Sequence, residues 1–128
     1  MRALLDTHTF LWSNTDDSRL SNAVRQIIED GANDIAFSAV SALEIAIKYI
    51  TGRLPIPEPP AQWVTKRLAL QRLTLLPVEI SHALHVANLP RHHGDPFDRL
   101  LVAQAQIEGL VILTSDPAIA RYDVETIW

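Results

Sequence analysis

Four acidic residues stand where chemistry could be done: Asp6, Glu44, Asp98 and Asp116. Each falls at the end of a short apolar segment or in the opening turns of a helix-like one. Carboxylates gathered within a few ångströms cannot all ionise cheaply unless a cation sits among them. An all-oxygen ligand set selects Mg²⁺ or Mn²⁺ over zinc, and the chain has no cysteine to argue otherwise. Such an ion keeps waters, lowers the pKa of one, and stabilises charge on a phosphoryl oxygen and its leaving group. Phosphodiester hydrolysis is the chemistry this residue set suits best.

The segments that must deliver those acids alternate in type. Residues 2–5 read as a buried strand ending at Asp6, and 7–14 as a helix with Phe10 and Leu11 inward. Leu20, Val24, Ile27 and Ile28 recur at helical spacing and stop at Gly31. A second strand spans 34–37, and a helix capped by Ser38 or Ser41 runs to about Ile50, with Gly52 as its stop. Four prolines, at 55, 57, 59 and 60, exclude helix interior before a helix over 61–71. A strand over 74–78 contains Pro77, which places it at a sheet edge. Ser81 opens the next helix, and Asp95-Pro96 begins one that reaches Gly109. Strands over 110–113 and 124–127 flank a short helix starting at Asp116-Pro117. Alternating strands and helices predict a three-layer α/β/α sandwich around a mostly parallel, roughly five-stranded sheet, forming one domain over residues 1–128.

In such sheets ligands bind at the carboxyl ends of the strands, and all four acids map to that edge. Each also has an ordinary structural use. Glu44 can pair with Lys48 one turn on, although its helix is apolar nearly all round and an unpaired buried carboxylate is expensive. Asp98 can serve as the third position of a capping box opened by Asp95. Asp6 and Asp116 can cap helices. Asp95, directly before Pro96, is read as a cap only. Taken one at a time these uses are reasonable, but together they leave the shared edge to coincidence.

Bulk properties set the frame. The 128 residues are 48% hydrophobic and 20% charged, which describes an ordinary globular domain. No apolar run reaches the length of a membrane span. Asp6 and the polar Thr7-His8-Thr9 leave no room for the apolar core of a signal peptide, so a cytoplasmic protein without membrane contact is expected. The net charge of −4 argues against a nucleic-acid partner until it is noticed that two divalent cations would cancel it.

The motifs resemble those of the PIN-domain toxins of bacterial toxin–antitoxin pairs, the VapC type, along nearly the whole chain. Leu4-Leu5-Asp6-Thr7-His8 is similar to the family's first motif. Ser38-Ala39-Val40-Ser41-Ala42-Leu43-Glu44-Ile45-Ala46-Ile47-Lys48 is similar to its second, continuing into Gly52-Arg53-Leu54. His92-His93-Gly94-Asp95-Pro96-Phe97-Asp98-Arg99-Leu100-Leu101-Val102-Ala103-Gln104-Ala105 is the most specific block, and Thr114-Ser115-Asp116 resembles the fourth. The resemblance implies a PIN fold, a Mg²⁺- or Mn²⁺-dependent endoribonuclease, an RNA substrate, a cognate antitoxin that inhibits it, and a homodimer. Carried over by position, Asp6 and Asp98 would be the principal metal ligands. Glu44 would position the attacking water or bind metal, Asp116 would complete the cluster, and Thr114 would orient the acids.

Other features are weaker. His92 and His93 are adjacent in a glycine-containing loop and are read as solvated or phosphate-contacting rather than metal-binding. His8 is assigned a structural role, and Trp12, Trp63 and Trp128 are assigned to packing. Arg53, Lys66, Arg67 and Arg72 form the only local basic bias, either a solvated face or a contact to RNA or antitoxin. The apolar helices near 45–50 and 63–70 are expected at dimer or antitoxin contacts. Three rivals remain. A phosphoacceptor receiver domain would need an acidic neighbour for Asp6 and a late lysine, and both are missing. A PIN module that binds RNA or protein without cutting is disfavoured by four intact acids. A DNA nuclease would use the same hydrolysis.

Overall fold

The computed structural model describes residues 1–128. Its five strands are β1 (Arg2–Leu5), β2 (Asp34–Ser38), β3 (Thr74–Leu76), β4 (Val111–Leu113) and β5 (Thr126–Ile127). They form one wholly parallel sheet in the order β3-β2-β1-β4-β5. The chain builds outward from β1 to β2 and β3, then returns to the other side for β4 and β5. The order therefore reverses between β1 and β4, where an open parallel sheet leaves a crevice at its carboxyl edge.

Seven helices cover the sheet: α1 (Thr7–Thr15), α2 (Asn22–Glu29), α3 (Ala39–Ile50), α4 (Pro60–Leu70), α5 (Ile80–His85), α6 (Pro96–Glu108) and α7 (Pro117–Ala120). Alternation along the strands divides the core in two. Ala3, Leu5, Ile35, Phe37 and Leu113 pack with residues of α1, α2 and α4, among them Phe10, Val24 and Trp63. Leu4, Ala36 and Ile112 point the other way, onto Leu101, Val102 and Ala105 of α6 and Ile119 of α7. Each of the larger of these side chains contributes about 1.5–3 kcal/mol by leaving water. The three layers expected from the alternating segments are thus observed. No helix is long and apolar enough to cross a membrane.

Local signals explain most boundaries. Ser38 caps α3 through a bond from the Val40 N–H, while α6 starts on Pro96 behind the Asp95 cap and ends at Gly109, whose φ of 68° suits a residue without a Cβ. Several boundaries differ from expectation by a residue or more, and three of them bear on the fold. β3 stops at Leu76, before Pro77, because proline has no N–H for the ladder; the strand does lie at the edge. α5 begins at Ile80 rather than at Ser81, because Glu79 caps it and the His82 ring returns a bond to the Glu79 backbone. The last strand contracts to Thr126–Ile127, with Val124 packed against the α6-side core.

Candidate active site

The crevice between β1 and β4 receives an acid from each side. Asp6 follows the last residue of β1, and its backbone N–H extends the ladder to the Leu113 carbonyl. Although it stands at the N-cap of α1, its side chain makes no capping bond. Its Oδ2 instead accepts from the Thr114 hydroxyl at 2.7 Å, across the switch point. Thr114 also accepts the N–H of Asp116, so one hydroxyl ties the ends of β1 and β4 together. The orienting role expected of Thr114 matches this geometry.

The other acids have different commitments. Asp116 does cap α7, its Oδ1 accepting from the Ala118 N–H at 2.9 Å. Asp95 caps α6, its Oδ1 taking the N–H groups of both Phe97 and Asp98. Asp98 closes no capping box; its Oδ2 meets His93 Nε2 at 3.2 Å. Glu44, on the buried face of α3, pairs its Oε2 with Lys48 Nζ at 2.7 Å. The helical ion pair is therefore real, but it occupies only half of the carboxylate.

A common pattern emerges across the four acids. Each binds the protein through one oxygen and leaves the other without a hydrogen-bond partner. None of these second oxygens is sealed in, since the one fully buried side-chain polar atom lacking a partner is Arg25 Nε. Asp6, Glu44 and Asp98 are nonetheless only 4%, 5% and 9% exposed, and Asp116 is half-buried. The carboxylates are held in place, mostly desolvated, with one accessible lone-pair face apiece.

Their electrostatics are those of acids crowded together. Burial pushes Asp98 up to about 7; its bond to His93 opposes the rise, while Asp95, Asp6 and Asp116 add to it. Asp6 is also raised, chiefly by burial. Its bond from Thr114 and the nearby His8 oppose that, and Glu44 and Asp116 reinforce it. Asp6 thus senses Glu44 on one side and Asp116 on the other, and Asp98 senses Asp6 and Asp116. All four predicted acids belong to one interacting group. Asp95 lies at its margin and is spent on its cap.

Such a group fits a hard divalent cation. The donors are all oxygens, and an ion could replace the protons that burial favours on Asp6 and Asp98. No three acidic or histidine side chains converge as a ready-made chelate. That suits an ion held by one or two carboxylates and its own waters better than a fully caged one.

The surroundings of Asp98 were not visible in sequence. Arg99 Nη1 donates to the Tyr122 hydroxyl at 3.0 Å, and that oxygen lies 2.7 Å from His93 Nδ1. With Arg99 donating to its oxygen, the Tyr122 hydroxyl can give its proton to Nδ1. That leaves the N–H of His93 on Nε2, directed at Asp98. His93 is therefore neither a solvated loop residue nor free to reach phosphate, and Arg99 and Tyr122 are the residues sequence reasoning missed. Tyr122 follows Asp98 by more than twenty positions, and no periodicity links the two. His8 is exposed, and its ring lies 5.7 Å from that of Trp12. Trp63 packs in the core as expected.

Comparison with known proteins follows the same lines. The PIN domain family model matches residues 3–125. Ribonuclease VapC22 of Mycobacterium tuberculosis is 33% identical over 114 residues, covering 88% of this chain and 85% of that protein. Ribonuclease VapC16 of the same organism is 44% identical over 75 residues, 59% of this chain and 50% of that protein, so the match spans half of that relative. Among solved structures, that of VapBC2 from Rickettsia felis bound to a promoter DNA fragment superposes with a TM-score of 0.71 at 15% identity, covering 99% of this chain and 98% of that one. VapBC-5 from M. tuberculosis gives 0.62 at 20% identity, covering 98% and 97%. At such identities the structural likeness speaks for the fold alone.

Proposed function

The chain belongs to the PIN-domain family, in its VapC group, and from that premise we propose that it is a metal-dependent endoribonuclease, the toxin of a toxin–antitoxin pair. The observation that carries the reading is the state of Asp6 and Asp98. Both are buried at the switch point, neither is used as a helix cap, and both are raised chiefly by burial and further by neighbouring acids, Glu44 and Asp116 for Asp6, and Asp95, Asp6 and Asp116 for Asp98. Relatives bearing the name ribonuclease supply the substrate class.

Asp6 and Asp98 would hold Mg²⁺ or Mn²⁺, which supplies positive charge at the phosphoryl group and a more acidic water. Thr114 fixes Asp6 so that its open oxygen faces the crevice, and His93 does the same for Asp98. Glu44, with Oε2 tied to Lys48, keeps Oε1 to orient the attacking water and take up its proton. Asp116 completes the acidic wall while its other oxygen stays in the α7 cap. Burial excludes bulk water and strengthens every charge interaction at the reacting phosphate.

A cognate antitoxin and a second copy of the chain are the proposed protein partners of a cytoplasmic, one-domain toxin. Within the two helices expected to make such contacts, Ile45 and Trp63 are core residues, whereas Ile50 and Leu70 are exposed and available. The test is expression of the chain alone beside Asp6→Ala and Asp98→Asn. Growth arrest with mapped RNA cuts, lost in both variants and on chelation, is expected. Equal toxicity from the variants would overturn the catalytic assignment.

A further inference from the structure

The basic residues are not equally available. Lys66 is paired with Glu58 at 2.7 Å, Arg67 lies over the Trp63 ring, and Arg99 is committed to the Val86 and Pro90 carbonyls and Tyr122. Arg19 and Arg53, like Arg67, make no ion pair, but these two lie together in one cleft beside Lys48. Arg53 gives only its Nε, to Thr51 Oγ1. Arg19, in the short 3₁₀ turn Asp17–Arg19, lays its guanidinium over the Trp12 ring, 4.6 Å from the centroid.

Both line a single cleft of about 600 Å³, together with Trp12, His8, Lys48 and the apolar Ile56. Lys48 is also the partner of Glu44, so the cleft borders the carboxylate site through that lysine. Asp16 is the one acid on its wall, and its Oδ1 accepts from the Ser18 hydroxyl. The cleft therefore presents, next to the acids, a stacked guanidinium–indole platform with one face outward and a second guanidinium free for an anion. Planar cations and rings suit an unstacked base, and a guanidinium fork suits a phosphate.

We propose that this cleft is a subsite for one nucleotide of single-stranded RNA adjacent to the cleaved bond. The base stacks on the outer face of Arg19, backed by Trp12. The phosphate beyond it is held by Arg53, with Lys48 beside it to separate that phosphate from Glu44. This subsite rests on the ribonuclease reading and extends it, because the strand must leave the acids along some wall. This wall carries two arginines without ion pairs, Arg19 and Arg53, beside the lysine that holds Glu44.

The test uses Asp98→Asn protein, to suppress cleavage, and a fluorescent eight-nucleotide single-stranded RNA in magnesium buffer. Adding Arg53→Ala should weaken binding several-fold and lower the slope of log affinity against log salt by about 0.7, the share of one phosphate on a single strand. Adding Arg19→Ala should weaken binding roughly tenfold, an effect that shrinks when the adjacent nucleotide is abasic. Lys66→Ala with Arg67→Ala should change neither quantity, and thermal melts of every variant establish that it is folded. Unchanged affinity and slope in the Arg19 and Arg53 variants would overturn the subsite. So would variants that weaken only antitoxin binding, which would make the cleft a protein contact. If unsubstituted protein fails to cut RNA while Asp98→Asn protein binds it through these arginines, the ribonuclease reading falls and the cleft stands only as an RNA-binding site without cleavage.

Discussion

Helix α6 carries two buried polar assemblies, and they are built on opposite principles. At its start, Asp98 joins three other carboxylates, each with one oxygen left open. Further along, Gln104 is buried and engaged at both ends: its Oε1 accepts from the Ser38 hydroxyl at 2.5 Å, and its Nε2 donates to the Pro77 carbonyl at 3.1 Å. Beside it His82, 0% exposed, accepts the Glu79 N–H on Nδ1 and meets Glu108 at 2.9 Å through Nε2. One assembly has its hydrogen bonds closed, and the other keeps acceptors unfilled and acids raised. A closed network fixes how α6, α3 and the β3–α5 segment sit together, whereas an open one is a place for something to bind.

Breaking each assembly separately should give opposite phenotypes, and the largest effect belongs to the open one. Asp98→Asn keeps the shape and an acceptor for His93 but removes a charge. Cleavage should fall by on the order of 10²–10³-fold, the scale seen when a group that stabilises reacting charge is lost. The melting temperature of the metal-free protein at pH 8 should stay level or rise, because a crowded carboxylate has gone. Full activity, or an unfolded variant, would show that Asp98 belongs with the structural assembly instead.

Gln104→Leu should do the reverse. It leaves the buried Ser38 hydroxyl without its partner, at about 1–3 kcal/mol, and releases the Pro77 carbonyl, whose residue is exposed, at less. The urea midpoint should drop accordingly, while turnover per folded molecule stays within a few-fold. A loss of turnover at full stability would mean that the two ends of α6 are coupled more tightly than their bonds suggest.

The same contrast has a pH signature. Asp98 titrates near 7 in the folded chain and near 3.8 when unfolded. Between those values the folded state holds the extra proton, so this group favours folding at low pH and loses that contribution as pH rises through 7. Asp6 is shifted in the same direction and adds to the trend. Melts of metal-free protein from pH 5 to 8 should therefore decline more steeply than those of Asp98→Asn. Added Mg²⁺ or Mn²⁺ should restore most of the loss at pH 8. A difference between the two proteins that is flat with pH would contradict the shift.

These two assemblies were not equally legible in the sequence. Asp6, Glu44, Asp98 and Asp116 could be found because strand ends and helix starts place them, and both are written locally in apolar runs and Asp-Pro pairs. Their capping alternatives could not be resolved that way, since a cap and an open carboxylate share the same neighbours. Only the observed bonds show Asp116 and Asp95 capping and Asp6 not. The closed network was invisible for a different reason: Ser38 and Gln104 are 66 positions apart, and each has an innocent local reading. Glu79 displaced Ser81 as the cap of α5 because His82 completes the box from within the core. Basic residues misled by proximity in sequence, as Arg53 shares its cleft with Arg19 and Lys48 rather than with Lys66 or Arg67.

The smallest expected effect tests the one link that gives the open assembly a closed border. Tyr122 is 4% exposed and stands between Arg99 and His93, so its hydroxyl sets which ring nitrogen carries the proton. Tyr122→Phe keeps the ring in the core and loses two hydrogen bonds, to Arg99 and to His93, at about 1 kcal/mol each. His93 Nδ1 then has no donor, and the proton can move there, leaving Nε2 without a hydrogen to offer Asp98. In metal-free protein above the titration of histidine, ¹⁵N shifts should show the unsubstituted ring with an unprotonated Nδ1 and a protonated Nε2. The variant should show a mixture, together with a fall in cleavage of about tenfold, the lower end for groups that orient a metal ligand. An unchanged tautomer would mean that the Asp98 charge alone orients His93. Arg99 and Tyr122 would then belong to the structural half of α6, along with Gln104.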